Sequence, residues 1–245
     1  MDEENNITRR RALLAGGTTL TFGAGVAYVA TRPGSCSEGY VPATLHAGEG
    51  TSGFGVDLTG RPIVGEPDAP VEIYYWTDYL CPFCKQFETE TLPDLSRDYI
   101  DAGTVRLPVL AYPNIGAYST PAGVWSRCVW EQVADSNPEA FWHWHEEAFA
   151  TQPESKTAWA DEATFEEITR RTDGVDLESI QECRATDSER LREELATDQE
   201  TARSLGIQGT PGFVIYDRES GTAGKLVGAH PYETFEEAIE NVRNA

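Results

Sequence analysis

Lysine is nearly missing from this chain: three residues (Lys85, Lys156 and Lys225) among 245, with 19 basic side chains in all against 41 acidic ones. The formal net charge of −22 excludes nucleic acid as a partner, since phosphate recognition needs a basic footprint. A second C-x-x-C is absent, and so is an H-x₃₋₅-H, so a four-ligand zinc site lacks donors beyond one cysteine pair and no metal is expected. His143 and His145, two apart in an aromatic helical pattern, read as a packing face rather than ligands. There is no internal repeat and no low-complexity tract, and 40% apolar content suffices for a real core. So large an acidic excess repels itself, and ~1 M salt would screen that repulsion to within about 3 Å. The composition therefore points to a protein built for concentrated salt.

Basic residues cluster once, at the start. Arg9, Arg10 and Arg11 precede an uncharged run from Ala12 to Ala30, which fits an export signal with a basic leading region. Thr8-Arg9-Arg10-Arg11-Ala12-Leu13 resembles the twin-arginine export motif, with Ala12 where that motif favours Phe. The run's 19 residues also reach across a bilayer of about 30 Å, so cleaved signal and retained anchor both stay open. Either way the mature part lies outside the cytoplasm. Cys36 follows this segment, but Pro33 spoils the surrounding lipobox. The expected organisation is a signal or membrane anchor over 1–31, a flexible Gly/Ser/Thr/Pro-rich linker over 32–62, and one folded domain over 63–245.

Within that domain "VEIYYWT" (71–77) is β-branched and aromatic, a buried strand. "CKQFETETLPDLSRDYI" (84–100) has near-helical apolar spacing, with a kink expected at Pro93. "TVRLPVLAYP" reads as a second strand, a long helical region follows to about Ser204, and "PGFVIYDRES", "GKLVGA" and "YETFEEAIENVR" read as two strands and a closing helix. Removing the helical block at about 117–204 leaves β-α-β and then β-β-α. That order is the thioredoxin arrangement, an α/β fold with a helical insertion between its halves.

Cys81 and Cys84 frame Pro82 and Phe83 where the first strand gives way to the first helix. Unpaired N–H groups and the helix dipole at such a start stabilise a thiolate over its thiol, which lowers a cysteine pKa from ~8.5 to about 3.5–7.5. Pro82 loses no needed donor in the first turn, and Cys84, one turn along, is sheltered and placed to attack a mixed disulfide from inside. "GIQGTPGFVIY" (206–216) places Thr210-Pro211 just ahead of a strand, similar to the cis-proline loop of thioredoxin-like proteins. Cys128 and Cys183 fall in the helical block and are expected to pair as a structural disulfide, since exported proteins rarely keep two buried free thiols.

Together "DAPVEIYYWTDYLCPFCKQFETETLP", "FWHWHEEAFA", "LGIQGTPGFVI" and "GAHPYETFEEAIE" resemble the DsbA-like thiol-disulfide oxidoreductases over roughly Pro62 to Val242. The resemblance implies Cys81 as nucleophile, Cys84 as resolving cysteine, and Pro82, Phe83, Thr210 and Pro211 as substrate contacts. It implies no cofactor beyond the redox-active Cys81–Cys84 disulfide. The expected partners are exported proteins with cysteine pairs and a membrane redox partner that resets the disulfide. One position departs: many thioredoxin-like proteins carry a buried acid six residues before the first cysteine, where this chain has Tyr75. Asp78 is a candidate for assisting proton transfer in its place, and Lys85 is the one cation near the pair in sequence. Oxidase is the leading direction of reaction. A reductase or isomerase with the same site, and a binding or holdase module with a structural C-x-x-C, remain alternatives.

Overall fold

The computed structural model describes residues 40–153 and 159–245; the expected signal or anchor over 1–31, and Cys36, lie outside them. Six strands form one mixed sheet: β1 (Leu45–Ala47), β2 (Pro62–Val64), β3 (Val71–Thr77), β4 (Val105–Ala111), β5 (Gly212–Asp217) and β6 (Ala223–Val227), in the order β1-β2-β4-β3-β5-β6. β3 and β4 run parallel, and every other neighbouring pair is antiparallel. The stretch expected to be a linker over 32–62 is therefore structured from Leu45 on. Its apolar residues are few but well placed: Val56 and Leu58, with Ile63 just beyond the stretch, are buried in one cluster with Tyr74 and Trp76 of the sheet.

All seven residues of β3 are buried because both of its faces are covered. Side chains alternate across a strand, so Tyr74 and Trp76 pack with Val56, Ile63 and Ile207 on one face, while Ile73 and Tyr75 enter the main core on the other. Glu72, fully buried, is paired with Arg106 in register on β4 and also accepts from Ser52. A buried carboxylate without such partners would cost several kcal/mol, on the order of 3–5.

The β3–β4 crossover is helical, with α1 (Pro82–Gln86) running through a π-turn at Phe87–Thr91 into α2 (Leu92–Leu95) and a second π-turn at Ser96–Ile100. The expected disturbance at Pro93 takes the form of this widening, because proline lacks an N–H and its ring collides with the carbonyl one turn back. The insertion comprises α3 (Ser119–Val133), α4 (Pro138–Thr151), α5 (Glu162–Arg171), α6 (Leu177–Thr186) and α7 (Ser188–Ser204). Asp161 and Asp176 cap α5 and α6 by accepting from the N–H groups of Thr164 and Ser179. Trp125 and Trp144 are buried between these helices, both donating to the Thr169 hydroxyl. Cys128 on α3 and Cys183 on α6 are joined by a disulfide. After α7, Gly206 takes φ +77°, the left-handed conformation that ends helices, and turns the chain toward β5. α8 (Tyr232–Arg243) closes the fold over β5, with Phe235 against Phe213 and Phe87.

Candidate active site

Cys81 stands at the N-cap of α1 with extended backbone (φ −82°, ψ 117°), and Pro82 opens the helix. Its carbonyl accepts from the N–H groups of Cys84 and Lys85, which closes the first turn. The two cysteines are free thiols in this structure. Exposure does not separate them as the sequence suggests, since Cys81 is 1% exposed and Cys84 0%. Hydrogen bonding does. The Cys84 side chain, above all, and then the Thr210 side chain and the backbone N–H groups of Cys84 and Phe83 support the Cys81 sulfur. Against the opposing effect of burial they lower its pKa from 9.0 to about 6. Cys84 has its pKa pushed well up, first by burial and then by its neighbour Cys81. One sulfur is thus mostly thiolate at neutral pH and the other stays a thiol.

Across the pair lies the loop carrying the cis Thr210–Pro211 bond. The Cys81 thiol donates to the Thr210 carbonyl at 3.2 Å, and the Thr210 hydroxyl is 3.3 Å from Asn114 Oδ1, its one proton turning to the sulfur when Cys81 ionises. All four residues expected to meet substrate gather here. Phe83 projects outward at 58% exposure beside the buried sulfurs. Ile115 and Tyr118 are also exposed, on the loop after β4; the sequence reading did not single them out, and the turn-like "YPNIGAY" carries no signal that would.

Two charged candidates have other occupations. Asp78 is buried; one oxygen accepts from Leu80 N–H, and the other accepts from Asn114 and Ile115 N–H at 2.8 and 3.0 Å. It ties the post-β4 loop to the start of the motif, and its lone pairs are engaged in that task rather than in proton transfer. Lys85 donates to the carbonyls of Ala150 and Gln152 at 3.3 and 2.6 Å, capping the C-terminal end of α4 instead of facing the sulfurs.

Beneath Cys84 a set of polar groups is buried in an otherwise aromatic core. Tyr75 and Thr77, on one face of β3, share a hydrogen bond of 2.8 Å. His145 is fully buried on α4, its Nε2 3.0 Å from Glu88 Oε1 and its Nδ1 2.8 Å from the Tyr79 hydroxyl, which is bonded in turn to Ser126. His145 is a packing residue as the aromatic pattern suggests, stacked on Trp142, but one with both ring nitrogens engaged. Among the described residues no group of three or more His, Cys, Asp or Glu is arranged to hold a metal ion. Among the same residues no helix is long and apolar enough to cross a membrane.

A strand that delivers a low-pKa thiol and a buried partner to a helix start, facing a cis-proline loop, is suited to dithiol–disulfide exchange. Comparison with known proteins agrees. A family model described as thioredoxin matches residues 58–241. Disulfide bond formation protein D of Bacillus subtilis is 29% identical over 161 residues, which is 66% of this chain and 70% of that protein. The probable disulfide bond formation protein D of Bacillus anthracis is 28% identical over 153 residues, 62% and 68% of the two chains. Among solved structures, oxidised BdbD of B. subtilis superposes with a TM-score of 0.67 at 25% identity, covering 80% of this chain and all (100%) of that one. DsbA of Chlamydia trachomatis, 21% identical with a TM-score of 0.61 over 74% of this chain and 91% of its own, shares the fold.

Proposed function

The chain belongs to the thioredoxin family as a DsbA-like thiol-disulfide oxidoreductase, and from that premise we propose that it is an exported oxidase that installs disulfides in other exported proteins. Cys81 is the nucleophile and Cys84 the resolving cysteine. A reduced substrate thiolate attacks Cys81 in the Cys81–Cys84 disulfide and expels Cys84. A second substrate thiolate then attacks the substrate's own sulfur in the mixed disulfide and releases Cys81 as thiolate. Two electrons pass to the enzyme, and a membrane redox partner removes them. Thr210 and Pro211 line up the substrate backbone, while Pro82, Phe83, Ile115 and Tyr118 offer apolar contact to an unfolded chain. Export runs through the twin-arginine-type segment at 1–31, which is cleaved or retained as an anchor. The acidic surface suits a salt-rich exterior.

The low-pKa Cys81 thiol facing the cis-proline loop supports exchange in either direction, and the disulfide bond formation proteins among the relatives favour oxidation. A leaving group that is a stable thiolate favours the reduced enzyme, so the disulfide is readily given away. The test is the reduction potential of the purified folded part. Oxidase function predicts a value toward about −120 mV, as for DsbA, and a value near about −270 mV, as for thioredoxin, would assign a reductase instead.

A further inference from the structure

Cys84 poses a problem that Cys81 does not. Its thiol is fully buried and its pKa is raised, yet each catalytic cycle must deprotonate it once and reprotonate it once. A buried thiolate formed with no proton acceptor nearby would be costly. The usual position for a buried acid holds Tyr75, and Asp78 is occupied by three backbone N–H groups.

We propose that the Glu88–His145 pair is the proton store for Cys84, reached through the hydroxyls of Thr77 and Tyr75. Hydrogen-bond geometry supplies two of the links, and the other two join neighbouring side chains, one of which shifts the other's ionisation. The Thr77 hydroxyl lies against the Cys84 sulfur. It is 2.8 Å from the Tyr75 hydroxyl, and either oxygen can donate, so this bond reverses without rearrangement. The Tyr75 hydroxyl lies against the Glu88 carboxylate, and Glu88 Oε1 is 3.0 Å from His145 Nε2. Tyr79 holds the far ring nitrogen at 2.8 Å and so fixes the ring. The Glu88 side chain is 6% exposed against 0% for His145, so any proton exchange between the store and water runs through Glu88. The titratable groups facing the pair are Tyr75 on β3, Tyr79 ahead of α1, Cys84 on α1 and Glu146 on α4, the last with its carboxyl raised to about 7, chiefly by burial.

In the resolving step the Cys84 proton passes to Thr77, that of Thr77 to Tyr75, and that of Tyr75 to the Glu88–His145 pair. The Cys84 sulfur attacks Cys81, the S–S bond forms, and the sulfur bound to Cys81 leaves as a thiolate. When Cys84 is the leaving group the chain runs backwards. Thr77 touches the reacting sulfur; Tyr75, Glu88 and His145 act through it as positioning residues.

This rests on Cys84 being the resolving cysteine, and one experiment separates the two claims. Reduced protein is mixed in a stopped-flow instrument with dithiobis(nitrobenzoate), which releases one coloured thiolate when Cys81 attacks and a second when Cys84 resolves. In Tyr75→Phe, Glu88→Gln and His145→Gln the first phase should be unchanged and the second slowed by about 100-fold at neutral pH. The second phase of Glu88→Gln should climb into alkaline pH with Cys84's own ionisation, more steeply than that of the wild type. Glu88→Asp should restore part of the rate, and Tyr75→Phe, nearly isosteric, guards against an effect of misfolding. Release of a second coloured thiolate by Cys84→Ser, or of a rapid first one by Cys81→Ser, would overturn the assignment of Cys81 and Cys84. Two phases with the same second rate and pH profile in every variant would overturn the proton store alone.

Discussion

The Cys81 sulfur lies 3.2 Å from the carbonyl oxygen of Thr210, a residue 129 positions later in the chain. Thr210 thus offers a carbonyl to the thiol, while its side chain is among the groups that hold the sulfur's pKa at about 6. The same backbone oxygen that meets the thiol is freed when the sulfur ionises or is bonded to a substrate.

Thr210→Val keeps the carbonyl and removes the hydroxyl. A lost hydrogen bond to a charged group is worth about 1.5–3 kcal/mol, so the midpoint for alkylation of Cys81 should rise by about one pH unit or more. The pH dependence of stability should respond in the same sense. Because the folded value lies below the ordinary 9.0, the thiolate's contribution to the reduced form is complete above about 9 and is lost as pH falls through about 6. Denaturant titrations of reduced wild type should show stability increasing across that window, and the increase should be smaller in Thr210→Val. An unchanged alkylation midpoint would mean that Cys84 and the backbone N–H groups suffice.

The Cys128–Cys183 bond ties α3 to α6 across a sequence separation of 55. Replacing both residues with Ala should lower stability by about 2–5 kcal/mol while the two-phase thiol reaction persists in the folded protein. Mass mapping after mild reduction should find this bond intact when Cys81 and Cys84 are already reduced. Equal susceptibility of the two pairs would refute a purely structural role.

The net charge of −22 sets up a contrast with salt. Raising salt from about 0.1 M to about 2 M should increase the thermal midpoint, by about 2–4 °C for each kcal/mol of relieved repulsion. The main causes of the Cys81 shift are contacts with Cys84, Thr210 and the helix start, none of them a distant charge. Its alkylation midpoint should therefore move much less than the melting temperature. A midpoint that drops steeply in high salt would show that the acidic surface reaches the site.

Local chemistry is what the sequence states by itself. Proline after Cys81 marks a helix start, a run of β-branched and aromatic residues interrupted by Glu72 marks β3, and two strands followed by an amphipathic segment mark the second half; each signal sits within a few neighbours. The short strands β1 and β2 were hidden in a Gly-rich stretch because three-residue strands draw their stability from the sheet they join, not from their own composition. Charged side chains were the least legible. Asp78, Lys85, Glu88 and His145 look alike in sequence as polar residues near or far from the motif. Yet one ties loops, one caps α4, and two pair beneath Cys84 from positions 57 residues apart. A buried polar group must find partners wherever the fold brings them, so its role is decided by three-dimensional proximity.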